Sequence, residues 1–247
     1  MRTKILAVVG LATVLLTACG GGNDDSGSEK AAGSSSSSAA GASSAAKDDG
    51  LAGKSGPQVA QAAADALEKA GSVHVKGDLT EDGTQGSIDL QLQGDDSAGT
   101  ISIQGQAVQL ISTGGKVYAQ APAAFWTANG VPAEAVGQLA GKWVTLPAEV
   151  GDSLSGISLQ DLVSELRNPT DGAYQDDVTT DTRDGEKVVV LKQAGGSTLQ
   201  VAAEGEPYPL YSETKGDEPG TLTFSDFGKK QTIAAPPSPL DLSQAGA

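Results

Sequence analysis

The sequence predicts an α+β domain built on one strongly bent antiparallel sheet with helices covering its apolar face. Two patterns predict it. Short segments with apolar residues at every second position recur along the chain and are separated by Gly-rich turns, which is typical of an antiparallel meander with one buried face. A few segments with helical apolar spacing lie before and among them. We expect nine to eleven strands and two or three helices.

The first helix is predicted between Ser55 and Gly71, because a capping residue followed by Pro57 precedes the pattern and a glycine ends it. Its apolar face comprises Val59, Ala63, Ala66, Leu67 and Ala70. Two further helical patterns cover Pro122 to Gly141 and Ser158 to Arg167, and Asn168-Pro169 ends the second.

Alternating segments account for the rest of the domain. The first five have their apolar positions at Val73, Val75 and Leu79; Ile88, Leu90 and Leu92; Ile101 and Ile103; Val108 and Leu110; and Val117 and Ala119. Lys142 to Leu146 is a short extended piece between the later helices. The second set of strands is predicted at Tyr174 to Thr182, Lys187 to Lys192, Ser197 to Ala203, Leu210 to Lys215 and Gly220 to Phe227.

The N-terminus has the features of a secretory signal. Arg2 and Lys4 precede an apolar run from Ile5 to Leu16, and small residues follow. Twelve helical residues extend only about 18 Å, well short of the roughly 30 Å hydrocarbon core of a bilayer. Leu16-Thr17-Ala18-Cys19 resembles the lipobox of bacterial lipoproteins, in which diacylglycerol is joined to the cysteine sulfur. We therefore predict a signal peptide at residues 1–18 and lipidation of Cys19.

Cys19 is the only cysteine in the chain, so it has no partner for an intrachain disulfide. Its thiolate is the nucleophile that alkylation requires. Because two acyl chains give stable membrane attachment, the membrane is an expected partner, and we expect the mature chain to be lipid-anchored at the outer face of the cytoplasmic membrane. The alternative is an incidental cysteine in an ordinary cleavable signal.

The composition divides the remaining chain into three parts. Residues 19–56 are rich in Ser, Ala and Gly, including Ser34 to Ser38, and have almost no side chains large enough to bury. We predict a disordered tether there, spanning roughly 33 Å, although its serines could also be modification sites. Residues 57–240 form the predicted domain, and residues 241–247 form a C-terminal tail.

Charge restricts the partners. The net charge is −15, and removal of Arg2 and Lys4 with the signal peptide would lower it to −17. Such a chain is repelled by phosphate backbones and by anionic lipid head groups, so nucleic acid is excluded as an expected partner. A domain held away from the membrane by a tether is consistent with this charge.

Catalytic and metal-binding patterns are weak, and we expect neither an enzyme nor a cofactor. His74 is the only histidine, and its position between Val73 and Val75 predicts that it lies on the solvent-facing side of its strand. No G-x-S-x-G, Walker or G-x-G-x-x-G motif occurs in a fitting context. A carboxylate cluster with the wrong spacing for an EF-hand predicts a solvated acidic edge better than a calcium site. Its members are Asp176, Asp177, Asp181 and Asp184.

Several motifs carry a family resemblance. They are Gly115-Lys116-Val117-Tyr118, Lys142-Trp143-Val144, the helix Leu159 to Leu166, Asp184-Gly185-Glu186-Lys187-Val188-Val189-Val190-Leu191, and Phe224-Ser225-Asp226-Phe227-Gly228 with Ala235-Pro236-Pro237. The chain resembles the LppX/LprAFG family of actinobacterial lipoproteins, which is distantly similar to the LolA/LolB carriers. The resemblance implies a half-barrel with helices on its concave side, where several members hold acylated lipids or glycolipids. It implies no catalytic residues.

Two hypotheses about function follow. A concave apolar face with few large aromatic side chains to fill it favours an apolar cavity that takes a lipid or an acylated glycolipid. The alternative is a non-enzymatic interaction or scaffold lipoprotein of the cell envelope whose core is filled. An enzyme would depend on carboxylates with no identified partner.

Overall fold

The fold is seen in a computed structural model, which describes residues 50–51, 53–81, 83–147, 158–170 and 172–242. Cys19 and nearly all of the predicted tether lie outside these residues. The described ranges contain four helices: α1 (Gly56–Ala70), α2 (Ala123–Ala128), α3 (Ala133–Leu139) and α4 (Leu159–Arg167). They also contain twelve strands, all in one sheet.

The N-terminal half of the sheet comprises β1 (Val73–Glu81), β2 (Thr84–Gln93), β3 (Asp96–Ile103), β4 (Gln106–Thr113), β5 (Lys116–Gln120) and β6 (Trp143–Thr145). The C-terminal part comprises β7 (Thr179–Arg183), β8 (Glu186–Lys192), β9 (Thr198–Ala202), β10 (Pro209–Thr214), β11 (Gly220–Ser225) and β12 (Leu240–Asp241).

The strand order is β12-β6-β5-β4-β3-β2-β1-β11-β10-β9-β8-β7, so β1 joins the two halves and the sheet is open. Every neighbouring pair is antiparallel except β12 with β6. The predicted fold class is confirmed: a large, mostly antiparallel sheet that is not closed, with helices packed against it.

The described residues contain twelve strands, where nine to eleven were predicted, and four helices, where two or three were predicted. The pattern from Pro122 to Gly141 forms two short helices, because Gly130 adopts a left-handed φ of 79° and Pro132 lacks the N–H that a continuous helix needs. The strand predicted from Tyr174 begins only at Thr179, and Tyr174 itself makes one isolated bridge to Gln193. Strand β12 was not predicted, since two residues carry no periodicity.

Helix α1 begins and ends as its sequence predicts. The Ser55 backbone N–H donates to Gln58 Oε1 (3.0 Å), and Gly71 ends the helix with φ 69° while donating to Leu67 O. At the first turn, Gly56 lies against the Gln175 carbonyl so closely that a Cβ would be 2.1 Å from that oxygen. The start of α1 is thereby fixed against the segment that precedes β7.

Helices α1 and α4 pack together over the C-terminal half of the sheet. Ser158 Oγ accepts from the Asp161 N–H at the start of α4, and Leu159, Val163 and Leu166 are buried. At the end of α4, Arg167 Nη2 lies 2.8 Å from Asp65 Oδ1 and 2.6 Å from Glu68 Oε2, both on α1. Helix α1 in turn contacts β8, β9 and β10.

Candidate ligand-binding face

The core side of the sheet is apolar across the middle strands. Alternation along β1 places Val73 and Val75 on this face, with Leu92 and Leu90 of β2 opposite them. All four side chains are buried in one continuous cluster that includes residues of α1, α2, α3 and α4. This side is therefore the face that the helices cover.

Toward the other end of β1 the same face becomes exposed. One cross-strand row there consists of Ile103, Gly86, Leu79 and Gly220. Its two large side chains, Leu79 and Ile103, are each 38% exposed. The next row contains Ile88 and Leu222, which are half-buried and packed against the core cluster. We call Leu79, Ile88, Ile103 and Leu222 the apolar rim, because they extend the core to solvent without a polar break.

Two glycines on the core face lie close to the backbone of neighbouring strands. A Cβ on Gly77 would lie 1.8 Å from Thr221 O, and one on Gly99 would lie 2.1 Å from Asp89 O. Both positions belong to the core face, so neighbouring backbones approach too closely on that side for any side chain. Close approach on one face accompanies a bend toward it, and glycine within a strand often marks such a bend. The apolar rim therefore lies at the end of a concave surface.

Helices α2 and α3 connect β5 to β6 beside this surface. Trp126 of α2 is buried in the core cluster and meets the Phe125 ring edge-on, with centroids 5.4 Å apart. Its Nε1 is buried and has no hydrogen-bond partner among the described residues. The helical insertion thus adds two large aromatic side chains, Phe125 and Trp126, to the core of the N-terminal half.

The described surface includes two open depressions that bear on a ligand site. One of about 500 Å³ lies at the ends of β1, β2, β10 and β11, where Leu79, Gly86 and Gly220 meet the carboxylates of Asp78 and Glu213. The other, of about 480 Å³, lies beside β3, β4 and β5 and is lined by Thr100, Ala107, Gln109, Gln120, Ala121, Pro122 and Gly141. An enclosed apolar cavity remains a prediction.

His74 lies half-buried on the opposite face of the sheet, in a fixed polar network. Its Nε2 is 2.7 Å from Asp89 Oδ1, and its Nδ1 is 3.3 Å from Ser225 Oγ. The hydrogen bond from His74, followed by that from Lys76, lowers the pKa of Asp89 below its ordinary value. A hydrolase triad uses the same residue types as Ser225, His74 and Asp89. None of these three residues lines either depression, however.

The predicted acidic cluster is dispersed. All four carboxylates are exposed, Asp181 Oδ1 accepts from the Thr182 N–H, and Asp184 lies 3.8 Å from Arg183. Across the described ranges, no group of three or more His, Cys, Asp or Glu residues is arranged to hold a metal ion. Over the same ranges, no helix combines the length and the apolar composition needed to cross a membrane.

Comparison with solved structures finds similar proteins, among them two from mycobacteria. The chain resembles LprF and LppX. LprF from Mycobacterium bovis is 16% identical, with a TM-score of 0.49, over 74% of this chain and 99% of LprF. Lipoprotein LppX from Mycobacterium tuberculosis is 17% identical, with a TM-score of 0.49, over 72% of this chain and 98% of LppX. No family model matches the chain, and no curated protein matches it.

LprF and LppX are lipoproteins of the family that the sequence motifs resemble. The shared feature is the fold. The exposed apolar rim is a feature of this chain's surface that sequence reasoning did not single out. Three of its members were assigned to the buried side of their strands, and Leu222 was not assigned at all.

Proposed function

We propose that this chain is a membrane-anchored extracytoplasmic lipoprotein that binds or shuttles a lipid or an acylated glycolipid. The observation that supports it best is the apolar rim, where the core face of a bent sheet continues to solvent through Leu79 and Ile103. Exposed apolar surface that is continuous with a core typically marks a site where something apolar binds. We expect an acyl chain to enter there and lie along the concave face.

Burial of an acyl chain at such a site releases enough free energy to bind a lipid. Removing one methylene group from water contributes about 0.8 kcal/mol, so ten buried methylenes would contribute on the order of 8 kcal/mol before the costs of binding. Charge adds no attraction for a neutral or anionic head group, because the chain is strongly acidic. The acyl part of the ligand should therefore dominate affinity, and the head group should remain near the rim.

The proposed anchor is lipid on Cys19, followed by the Ser/Ala/Gly-rich tether. A tether of this length would let the domain reach a ligand in the membrane surface while remaining attached. Substitution Cys19→Ala should abolish incorporation of radiolabelled palmitate and move the protein out of the detergent phase in Triton X-114 partitioning. Continued labelling of the Cys19→Ala chain would contradict this assignment.

The lipid-binding test is native mass spectrometry combined with organic extraction. The chain from Gly20 onward would be secreted from an actinobacterial host through a non-lipidating signal and purified without detergent. We expect a stoichiometric adduct that organic solvent removes. In Leu79→Gln the adduct should decrease at least about tenfold, because a polar amide replaces apolar surface at the entrance.

Leu240→Gln is the matched control, since Leu240 lies on β12 and is 37% exposed, nearly the same as Leu79. It should keep the adduct. A bare mass for the unmodified chain, unchanged after incubation with envelope lipids, would refute lipid binding. Equal loss in both variants would refute the rim as its entrance.

The second candidate is a non-enzymatic interaction or scaffold lipoprotein. It is favoured by the close packing under α1 and α4, where Val59, Leu67, Leu191 and Val201 are each 0% exposed. If the whole core is filled in this way, the sheet serves to present its outer surface to an envelope partner. A bare mass in the experiment above is the result that this function predicts.

A further inference from the structure

The outer face of β3, β4, β5 and β6 is uncharged between its two ends. The chain has 47 charged side chains among Lys, Arg, Asp and Glu. On this face of the four strands, however, charge occurs only near the hairpin ends, at Asp96 and Lys116. The positions between carry hydroxyl, amide, aromatic or apolar groups, of which Tyr118 is buried. This part of the outer face is therefore neutral on a chain of net charge −15, as far as Asp89 of β2, which pairs with Thr100 and lies 2.9 Å from Lys76 Nζ.

Four side chains cross this face in one line. Register pairs Thr100 with Gln109, Gln109 with Gln120, and Gln120 with Trp143. We call these four residues the polar row. Adjacent strands are about 4.8 Å apart, so the row extends about 14 Å, a length that several linked sugar units would span. Three of its members line the depression of about 480 Å³.

The polar row is exposed and partly preorganised. Gln109 is exposed, whereas Thr100, Gln120 and Trp143 are half-buried. Gln120 Nε2 donates to Gly141 O (2.8 Å), which fixes the amide and presents Oε1 as an acceptor. Trp143 faces outward because its neighbour Val144 is fully buried on the core face. The row therefore combines one fixed amide, one exposed amide and a hydroxyl with an indole at one end.

The segment after β11 lies against the same face one cross-strand row from the polar row, because Gln91 pairs with Ala98 and the polar row begins at Thr100. Gln91 on the outer side of β2 donates to Lys229 O and accepts from Gln231 Nε2, and it is only 4% exposed. This segment continues to β12, which pairs with β6. It thus crosses from the centre of the sheet to the edge beyond Trp143, and the polar row runs alongside it.

We propose that the polar row is a second binding site, which holds a neutral polysaccharide chain. Amide and hydroxyl groups exchange hydrogen bonds with sugar hydroxyls, and an indole packs against the C–H face of a pyranose ring. An anionic ligand would be repelled by the acidic molecule, and the polar row offers no carboxylate to pair with a cationic one, so an uncharged ligand fits it best. The site is on the outer face and is independent of the proposed lipid site.

Affinity electrophoresis of the full chain from Gly20 onward tests the proposal. Native gels would contain soluble mannan, galactan, arabinan or dextran as neutral probes, and polygalacturonate as the anionic one. We expect at least one neutral probe to retard the protein. Trp143→Ala should weaken that retardation at least about tenfold, and Gln109→Ala should weaken it severalfold.

Gln85→Ala is the matched control, because Gln85 is also an exposed strand glutamine but lies off the row, on β2. Its retardation should equal that of the unmodified chain. Absence of retardation by all four neutral probes would overturn the proposal, as would equal retardation of Gln109→Ala and Gln85→Ala, or equal retardation by polygalacturonate. The Trp143 side chain is half-buried, so Trp143→Ala also removes packing at β6. Gln109 is exposed, so weaker retardation of Gln109→Ala reports loss of binding rather than loss of structure.

Discussion

Two buried serines show how much the surroundings of a single hydroxyl decide. Ser72, between α1 and β1, is 0% exposed, and its Oγ has no hydrogen-bond partner among the described residues. Ser158 is also buried, but its Oγ accepts from the Asp161 N–H at the first turn of α4 and contacts the Asp161 carboxylate. One hydroxyl is a cost to the fold, and the other stabilises it.

Alanine at the two serines should therefore have opposite effects. Ser72→Ala removes an unsatisfied polar group and should raise the free energy of unfolding by about 1 kcal/mol. Ser158→Ala removes a helix cap and should lower it by about 1 kcal/mol. Urea unfolding followed by circular dichroism measures both. Destabilisation by Ser72→Ala of the same size as by Ser158→Ala would contradict the prediction.

Tyr174 makes stability depend on pH in the alkaline range. Burial, with a smaller contribution from the negative charge of Glu165, raises the pKa of Tyr174 from 10.0 to about 12. Its folded-state pKa is above the unfolded value, so the contribution is complete below pH 10 and is lost as pH rises toward 12. The loss is about 1.4 kcal/mol for each pH unit in that window.

Tyr174→Phe removes this titration. Between pH 9 and pH 11 the free energy of unfolding of the unmodified chain should fall by about 1.4 kcal/mol more than that of Tyr174→Phe. Urea titrations of both proteins at the two pH values give the difference directly, because all other titrating groups are shared. Parallel losses in the two proteins would mean that Tyr174 ionises as freely in the fold as in the unfolded chain.

At the scale of elements, glycines in strands and helices have different roles. Gly77 in β1 faces Thr221 O, which would be 1.8 Å from an added Cβ, so Gly77→Ala must displace backbone on β11. We expect a loss of about 3 kcal/mol in the free energy of unfolding. Gly137 in α3 has open space around it, and Gly137→Ala should add roughly 0.5–1 kcal/mol through helix propensity. Thermal unfolding of the Gly77→Ala and Gly137→Ala variants measures both changes in stability.

Equal, small effects at Gly77 and Gly137 would show that the close approach of β1 and β11 is not required. That approach is the feature on which the bend beside the apolar rim depends. The same comparison therefore tests whether the concave surface is built into the sheet.

Most helices and strands could be predicted from the sequence, because the alternation of apolar residues and the capping of helices are local patterns. Helix α1 and strands β1 to β5 occur where apolar periodicity placed them. The split between α2 and α3 depended on Gly130 and Pro132, signals that were present but outweighed by the surrounding Ala-rich composition. Strand β12 could not be predicted, because it exists only through its pairing with β6.

The candidate site was harder to predict than the fold. Period-two alternation identifies which residues share a face, but not where the helices stop covering that face. Leu79 and Val75 have the same pattern in sequence, yet Leu79 is 38% exposed and Val75 is 3% exposed. The polar row is equally non-local, since its four residues lie on four different strands. Both sites depend on register, which a single sequence does not reveal.

At the scale of the whole molecule, the question is whether the two halves of the sheet unfold together. Strand β1 pairs with β2 along one edge and with β11 along the other. The core cluster is continuous from Val144 on β6 to Leu191 on β8. A sheet of this kind has no internal boundary at which one half could lose its packing alone, so we expect one cooperative transition.

Tryptophan fluorescence tests this prediction, because it reports on the N-terminal half of the domain. Trp126 and Trp143 are the only tryptophans and both lie in the N-terminal half, between β5 and β6 or on β6. Leu90 on β2 and Leu191 on β8 are matched buried leucines, one in each half. Leu90→Ala and Leu191→Ala should each lower the free energy of unfolding by about 3 kcal/mol.

In a cooperative sheet, Leu191→Ala must shift the urea midpoint of tryptophan fluorescence as far as Leu90→Ala does, although no tryptophan lies near β8. Circular dichroism should give the same midpoint in each variant. If Leu191→Ala left the fluorescence transition in place while circular dichroism became biphasic, the C-terminal half would unfold separately. The pairing of β1 with β11 would then be too weak to couple the apolar rim to the helices α1 and α4, and ligand binding at the rim could not stabilise the whole domain.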